Sequence, residues 1–263
     1  MIKAVFFDLD GTLLDCAHGK YGISGDGRRI LEKIKGQGIH LFVATGRSVS
    51  FLPPSVREAG FQGYALANGA SVWADGEEIG THMLSGQLVR HITEQLEEEG
   101  VEYALQIPGG TWMSRKRSRL LAYFKEYLFD ERFLIEKPLA DCLDKVMKME
   151  LYVDPEQVQN CREILKPLEC MYSPETHSIE AYSKNVSKAT GAREILDHLG
   201  LRRSETMCFG DGQNDMELFQ MVGWPVAMEN AAGCVKEKAR AVCKSVGEDG
   251  AIRYLQEFFM LRT

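Results

Sequence analysis

The stretch AVFFDLDGTLL, residues 4–14, decides the fold. An apolar run leads into two aspartates one residue apart, Asp8 and Asp10, and then into a Gly-Thr turn. Because the apolar run is nearly continuous, it predicts a strand over 3–8 that is buried on both faces. On a strand, residues i and i+2 point the same way, so both carboxylates can face one small volume. Two anions that close repel and raise one proton affinity unless a cation lies between them. A hard divalent ion such as Mg²⁺ suits carboxylate and carbonyl oxygens. A pair of capping or turn aspartates is the plainer alternative, since Asp-Gly is also a turn signal.

Outward from this stretch, the first third alternates strand and helix. Ser24 can cap a helix carrying Ile30, Leu31 and Ile34, with Gly36 and Gly38 at its end. IHLFVAT (39–45) and YALAN (64–68) read as further strands, and SVWADGEEIG as a hairpin turning at Asp75-Gly76. This alternation predicts an α/β fold with a parallel sheet and right-handed crossovers.

The middle third changes character. Helices are expected over 85–100, 118–129 and 155–165, and strands over 101–107, 111–114, 145–153 and 178–183. The strand at 145–153 alternates as if one face were wet. The last third returns to the first pattern, with a helix over 187–201, a buried strand at 206–212, a helix over 214–223, a strand at 224–228 and a closing helix over 250–259. The expected organisation is one α/β domain made of 1–81 and 185–263, with an inserted α+β domain over 82–184.

Three more strand ends carry polar residues, and in open α/β sheets that rim is where ligands bind. In FVATGRS (42–48), Thr45, Gly46 and Arg47 offer a hydroxyl, a bare backbone N–H and a cation. They suit an anion clamp, or a plain strand-to-helix turn. Lys188 falls in the first turn of its helix, against the helix dipole, which a nearby anion would explain. An exposed surface lysine is the alternative. In CFGDGQND (208–215), Asp211 can complete a metal site, Asp215 can orient a metal-bound water or Lys188, and Asn214 can donate to an anionic oxygen. An acidic helix N-terminus would look the same.

DLDGTLL, ATGR, the lysine of VSKATG and GDGQND together resemble the four motifs of the haloacid dehalogenase (HAD) phosphohydrolase superfamily. The resemblance covers the core, about 1–80 and 185–263. The insert is similar to a cap of the C2B type, and NGA (68–70) and EDG (248–250) are similar to the Cof-like branch. The resemblance implies a Rossmann-like core with an inserted cap. It implies an aspartyl nucleophile at Asp8 and a general acid and base at Asp10. It implies Mg²⁺ held by Asp8, the backbone carbonyl of Asp10 and Asp211. Thr45, Gly46, Lys188 and Asn214 would hold phosphoryl oxygens, with Asp215 and Arg47 in support. Ala189 stands where the family often has Gly after the lysine. The implied activity is hydrolysis of a small phosphorylated metabolite such as a sugar phosphate. A phosphosugar mutase and a non-catalytic metabolite-binding protein are the alternatives. The cap would set substrate choice. Its SRKRSR run (114–119), with Arg115, Lys116, Arg117 and Arg119, reads first as solvated surface. His177 and Glu180 read as plain strand or loop residues, and Trp112 and Met113 as cap core.

The bulk properties fit this frame. The chain has 263 residues, is 44% hydrophobic and 26% charged, and carries a net charge of −7. An acidic balance argues against a nucleic-acid surface. No apolar run is long enough to span a bilayer, and the acid-interrupted N-terminus does not read as a signal peptide. Seven cysteines without a C-x-x-C spacing predict reduced thiols and a cytoplasmic protein.

Overall fold

The computed structural model describes residues 1–115 and 118–260. In chain order the strands are β1 (Ala4–Phe7), β2 (His40–Ala44), β3 (Gly63–Leu66), β4 (Ser71–Ala74), β5 (Glu77–Thr81), β6 (Glu102–Ile107), β7 (Gly110–Met113), β8 (Lys148–Tyr152), β9 (Glu169–Ser173), β10 (Ser178–Tyr182), β11 (Thr206–Gly210), β12 (Trp224–Met228) and β13 (Ala241–Cys243). The chain divides into two compact units. The first comprises Met1–Gly46, Pro53–Gly80 and Ser187–Thr263; the second comprises Arg47–Leu52 and Thr81–Val186.

The first unit is built on a sheet of order β13-β12-β11-β1-β2-β3-β4-β5. Pairing is parallel from β13 through β3, and β4 then runs antiparallel to β3. The turn between β4 and β5 is the expected Asp75-Gly76, both residues at positive φ. The chain leaves β1 toward β2 on one side and builds out from β11 on the other, so the sheet reverses its winding beside β1.

All four residues of β1 are buried because helices cover both faces of the sheet. On one face Ala4, Phe6, Phe42, Ala65 and Cys208 pack with Ala192, Ile195 and Leu196 of the helix Lys188–Leu199. On the other, Phe7 stacks on Phe209 at 5.5 Å, and Phe209 meets Tyr254 of the helix Gly250–Phe258 edge-on. The helix Gly25–Gly36 starts where expected, with the Ser24 hydroxyl accepting from the Gly27 N–H at 2.9 Å. Helix Lys188–Leu199 carries a Ser187 cap and ends at Gly200 in the left-handed region. Its N-terminus lies close to the sheet. A Cβ on Gly191 would stand 2.8 Å from the Ala65 Cβ, and one on Gly69 would stand 2.3 Å from the Ser187 carbonyl.

The second unit has a five-stranded sheet of order β7-β6-β8-β10-β9, antiparallel throughout. Its apolar face carries Tyr103, Leu105, Met149, Leu151 and Ile179 against Val89, Ile92 and Leu96 of the helix Gly86–Glu98. The opposite face is polar but not wet, which corrects the expectation for 145–153. Lys148 and Glu150 are 2% and 5% exposed. They can be buried because each is paired: Lys148 with Glu180 at 2.7 Å, Glu150 with the Gln106 amide at 3.2 Å. Over the same face, Leu120 and Phe124 of the helix Arg119–Glu126 cluster with Ala104 and Phe51. Two strands lay below the sequence signal. β9 is a half-exposed edge and β13 has three residues. Among the described residues no helix is long and apolar enough to cross a membrane.

Candidate active site

Parallel strands end on one rim of the first unit, and there the chain places Asp8 after β1, Thr45 after β2 and Asp211 after β11. Asp8, Thr45, Lys188 and Asp215 are all at least 95% buried. Lys188 is therefore not a surface residue. From the first turn of its helix its amine reaches inward and donates to Asp8 Oδ1 and to Asp215 Oδ1, both at 2.7 Å.

Asp215 does two jobs with its two oxygens. Oδ1 takes the lysine, and Oδ2 accepts the backbone N–H groups of Asp211 and Gly212, each at 3.0 Å. The second contact closes the turn that carries Asp211. Gly210 permits this closeness, since a Cβ there would stand 2.4 Å from the Asp215 carboxyl carbon. Asp211 is further held by the Thr12 hydroxyl at 3.3 Å and by the Asn230 amide at 3.4 Å. Asn230 also donates to the Gly11 carbonyl and accepts the Val246 N–H, so it ties the DLDG turn to the loop before the last helix.

Burial and crowding set the electrostatics. Burial pushes the Asp8 carboxyl well above its ordinary value; Lys188 pulls it back down, while Asp215, Asp211 and Asp10 add to the rise. Burial and then Asp215 push Asp211 up to about 6, partly offset by Lys188 and Thr12. For Lys188 burial alone would lower the value, but the Asp215 and Asp8 carboxylates outweigh it and hold the ammonium charged. The site is one buried cation among more carboxylates than it can neutralise.

Oxygens of Asp8, Asp211 and Asp215 lie within 4.8 Å of one another, a spacing that could hold a metal ion. Asp10 stands apart from this set. It is exposed, yet near enough that its charge raises both Asp8 and Asp211. Asn214 donates to the Asn68 side-chain oxygen at 3.2 Å, and Gly46 runs beside the same amide. Arg47 goes with the second unit. Its guanidinium donates to the Phe51 carbonyl at 2.7 Å and the Tyr127 carbonyl at 3.1 Å. Thr12, Asn68 and Asn230 were missing from the sequence-derived set. Thr12 and Asn68 sat inside quoted motifs; Asn230 had no motif to flag it.

In the second unit, Arg119 pairs with Asp154 through two contacts of 2.8 and 3.1 Å and lies over the Tyr152 ring. Arg115 donates to the Gly100 carbonyl, and Lys116 and Arg117 lie outside the described residues. His177 stacks on Tyr152. Met113 is buried, and Trp112 packs at the edge of the apolar face.

Residues 5–255 match the family model of haloacid dehalogenase-like hydrolases. A Bacillus subtilis protein named "Putative phosphatase YkrA" is 28% identical over 99% of both chains. A second Bacillus subtilis protein, 5-amino-6-(5-phospho-D-ribitylamino)uracil phosphatase YcsE, is 23% identical over 98% of this chain and 96% of its own. Among solved structures, the HAD subclass IIB sugar phosphatase BT4131 superposes with a TM-score of 0.82 at 24% identity, covering 98% of this chain and all of the other. The chain belongs to the haloacid dehalogenase-like hydrolases, in their Cof-like branch, and is a phosphoric monoester hydrolase.

Proposed function

We propose that the chain is a Mg²⁺-dependent phosphatase that hydrolyses a small phosphorylated metabolite, a sugar phosphate, through an aspartyl-phosphate on Asp8. The observation that carries the reading is the Lys188 amine bound to Asp8 and Asp215 at 2.7 Å each, all three buried at the end of β1. A carboxylate in that position is desolvated and oriented by a fixed cation, and that cation offsets part of the rise in proton affinity that burial and the neighbouring acids impose, which favours the anionic form a nucleophile requires.

One Asp8 oxygen attacks phosphorus in line, the bond to the leaving oxygen breaks, and that oxygen departs with the electron pair. Asp10 protonates it. Its exposure suits this role, because the carboxyl can then take a proton from the attacking water in the second step. Water adds at phosphorus, inorganic phosphate leaves, and the Asp8 carboxylate is restored. Thr45, the Gly46 N–H, Lys188 and Asn214 hold the phosphoryl oxygens. Asp215 positions Lys188 and the Asp211 turn. Arg47 supports the segment that follows Gly46.

Asp8, the Asp10 carbonyl and Asp211 would hold Mg²⁺; carboxylate oxygens of Asp8 and Asp211 lie within 4.8 Å of each other, with one of Asp215 equally near, and oxygen donors fit a hard ion of that kind. Gly11 leaves room there: a Cβ on it would stand 2.1 Å from Asp211 Oδ2. When bound, the ion neutralises phosphoryl charge and eases approach of an anionic nucleophile.

The first unit is the catalytic domain, and the insert over 82–184 is the cap that selects the leaving group. YcsE is named for a phosphorylated ribityl compound, which supports a polyol or sugar phosphate as the substrate class. Seven free thiols suit a reducing compartment, and we place the enzyme in the cytoplasm. The test is Asp8→Asn with p-nitrophenyl phosphate and Mg²⁺. Hydrolysis is expected to vanish while the circular dichroism spectrum is unchanged; undiminished turnover would overturn the assignment. Phosphate release across a phosphometabolite panel then identifies the substrate.

A further inference from the structure

Asn68 is 1% exposed, and its side-chain Nδ2 is buried without a hydrogen-bond partner. Buried amide donors are rarely left so, because an unmade hydrogen bond there is not repaid by water. The rest of the residue is well fixed. Its backbone N–H donates to the Thr45 carbonyl at 2.9 Å, and its Oδ1 accepts from Asn214 Nδ2 at 3.2 Å. That second contact also orients the amide. With the Asn214 amine turned toward it, Oδ1 faces Asn214 and Nδ2 is left over; turning the Asn68 amide alone would set two NH₂ groups against each other.

The backbone explains how an asparagine comes to be there. Ala67, Asn68 and Gly69 all have positive φ, at 49°, 56° and 94°. The left-handed turn reverses the chain from β3 to β4 and sends the Asn68 side chain into the rim. Asparagine tolerates that conformation better than most residues. Gly46 completes the arrangement. An ideal Cβ on it would lie 3.3 Å from Asn68 Oδ1 and 3.5 Å from Nδ2, so any side chain at 46 would cover the amide. The unpartnered donor thus sits between Gly46 and Asn214, two residues already read as phosphoryl contacts.

We infer that Asn68 is a further donor in the phosphoryl cradle, its Nδ2–H bonding a phosphoryl oxygen directly while its Oδ1 fixes the Asn214 amide beside it. The inference rests on the phosphatase reading. An oxyanion completes the hydrogen bonding of the buried amide, and the donor is already oriented before substrate arrives.

The test uses Asn68→Gly, which keeps the left-handed backbone free of strain, together with Asn214→Ala and the double variant. Three quantities are read: kcat and KM for p-nitrophenyl phosphate, inhibition by inorganic phosphate, and the melting temperature. For Asn68→Gly, kcat/KM is expected to fall by about 10²-fold, the scale of one lost oxyanion donor. Inhibition by phosphate weakens, and the melting temperature stays near wild type. The double variant loses more than Asn214→Ala alone. Wild-type kinetics and phosphate inhibition in Asn68→Gly would overturn the inference. So would a double variant equal to Asn214→Ala, which would make Asn68 only a prop for Asn214. A wild-type protein with no phosphatase activity would instead overturn the underlying reading, so the two failures are distinct.

Discussion

Lys188 and Asp215 are joined at 2.7 Å with 1% and 0% of their side chains exposed. Removing one member of a buried pair leaves a charge with neither water nor partner, and costs about 3–5 kcal/mol. Lys188→Met is the harsher change, because it strands two carboxylates, Asp8 and Asp215. Its unfolding free energy in urea should drop by about that amount. Asp215→Asn should cost less, since Lys188 keeps Asp8 at 2.7 Å. A Lys188→Met protein as stable as wild type would contradict the burial argument.

Gly11 and Asp211 give a second prediction. Gly11 has φ of +75°, and a Cβ there would stand 2.1 Å from Asp211 Oδ2. The overlap is with the end of a side chain, so Gly11→Ala should displace the carboxylate rather than unfold the chain. The expected stability loss is about 1–2 kcal/mol, from left-handed strain. On the proposed metal reading, Mg²⁺ affinity by calorimetry should fall at least roughly tenfold, as for a disturbed ligand support. An unchanged affinity would place the metal elsewhere.

Glu150 makes stability depend on pH in the second unit. Burial raises its carboxyl from 4.5 to about 7, with Lys148, the Gln106 hydrogen bond and Arg47 pulling down and Glu180 pushing up. Between those two values the unfolded chain has lost the proton and the folded chain keeps it. Stability therefore falls as pH rises from about 4.5 to about 7, and levels off above. Glu150→Gln should flatten that part of the profile and stabilise the protein above pH 7, by at most roughly 3 kcal/mol. Urea titrations at pH 5 and 8 for both proteins measure it. A mutant with the wild-type slope would locate the dependence in another group.

Legibility differed between the two units for a physical reason. In the first, each strand is a short apolar run closed by a turn, so β1, β2, β11 and β12 could be read from the chain, and the motif residues at their ends with them. In the second, Lys148, Glu150 and Gln106 obey strand alternation but are paired across strands, so polarity falsely signalled water. Long-range pairing is not written in local pattern. The same limit hid Asn230, whose contacts to Gly11, Asp211 and Val246 span up to 219 residues of sequence. Lys188 was legible as an oddity, a cation against the helix dipole, but only the fold showed how fully it is enclosed.

Arg47 supplies the last prediction, because its neighbours in sequence and in space belong to different tasks. Thr45 and Gly46 precede it at the end of β2, yet its guanidinium bonds the carbonyls of Phe51 and Tyr127 in the second unit. The segment 47–52 is anchored there by more than the arginine. Ser50 Oγ accepts the Thr111 hydroxyl at 2.8 Å, its carbonyl accepts the Asp130 N–H, and Phe51 packs edge-on against Phe124 at 4.8 Å. Arg47→Ala removes a charged donor from one buried carbonyl, that of Phe51, and one partly buried carbonyl, that of Tyr127, and hydrogen bonds to a charged group contribute about 1.5–3 kcal/mol each. The melting temperature should therefore fall by several degrees. Inorganic phosphate should inhibit the variant as strongly as wild type, in contrast to Lys188→Met. Loss of phosphate inhibition with an unchanged melting temperature would make Arg47 a phosphoryl ligand instead.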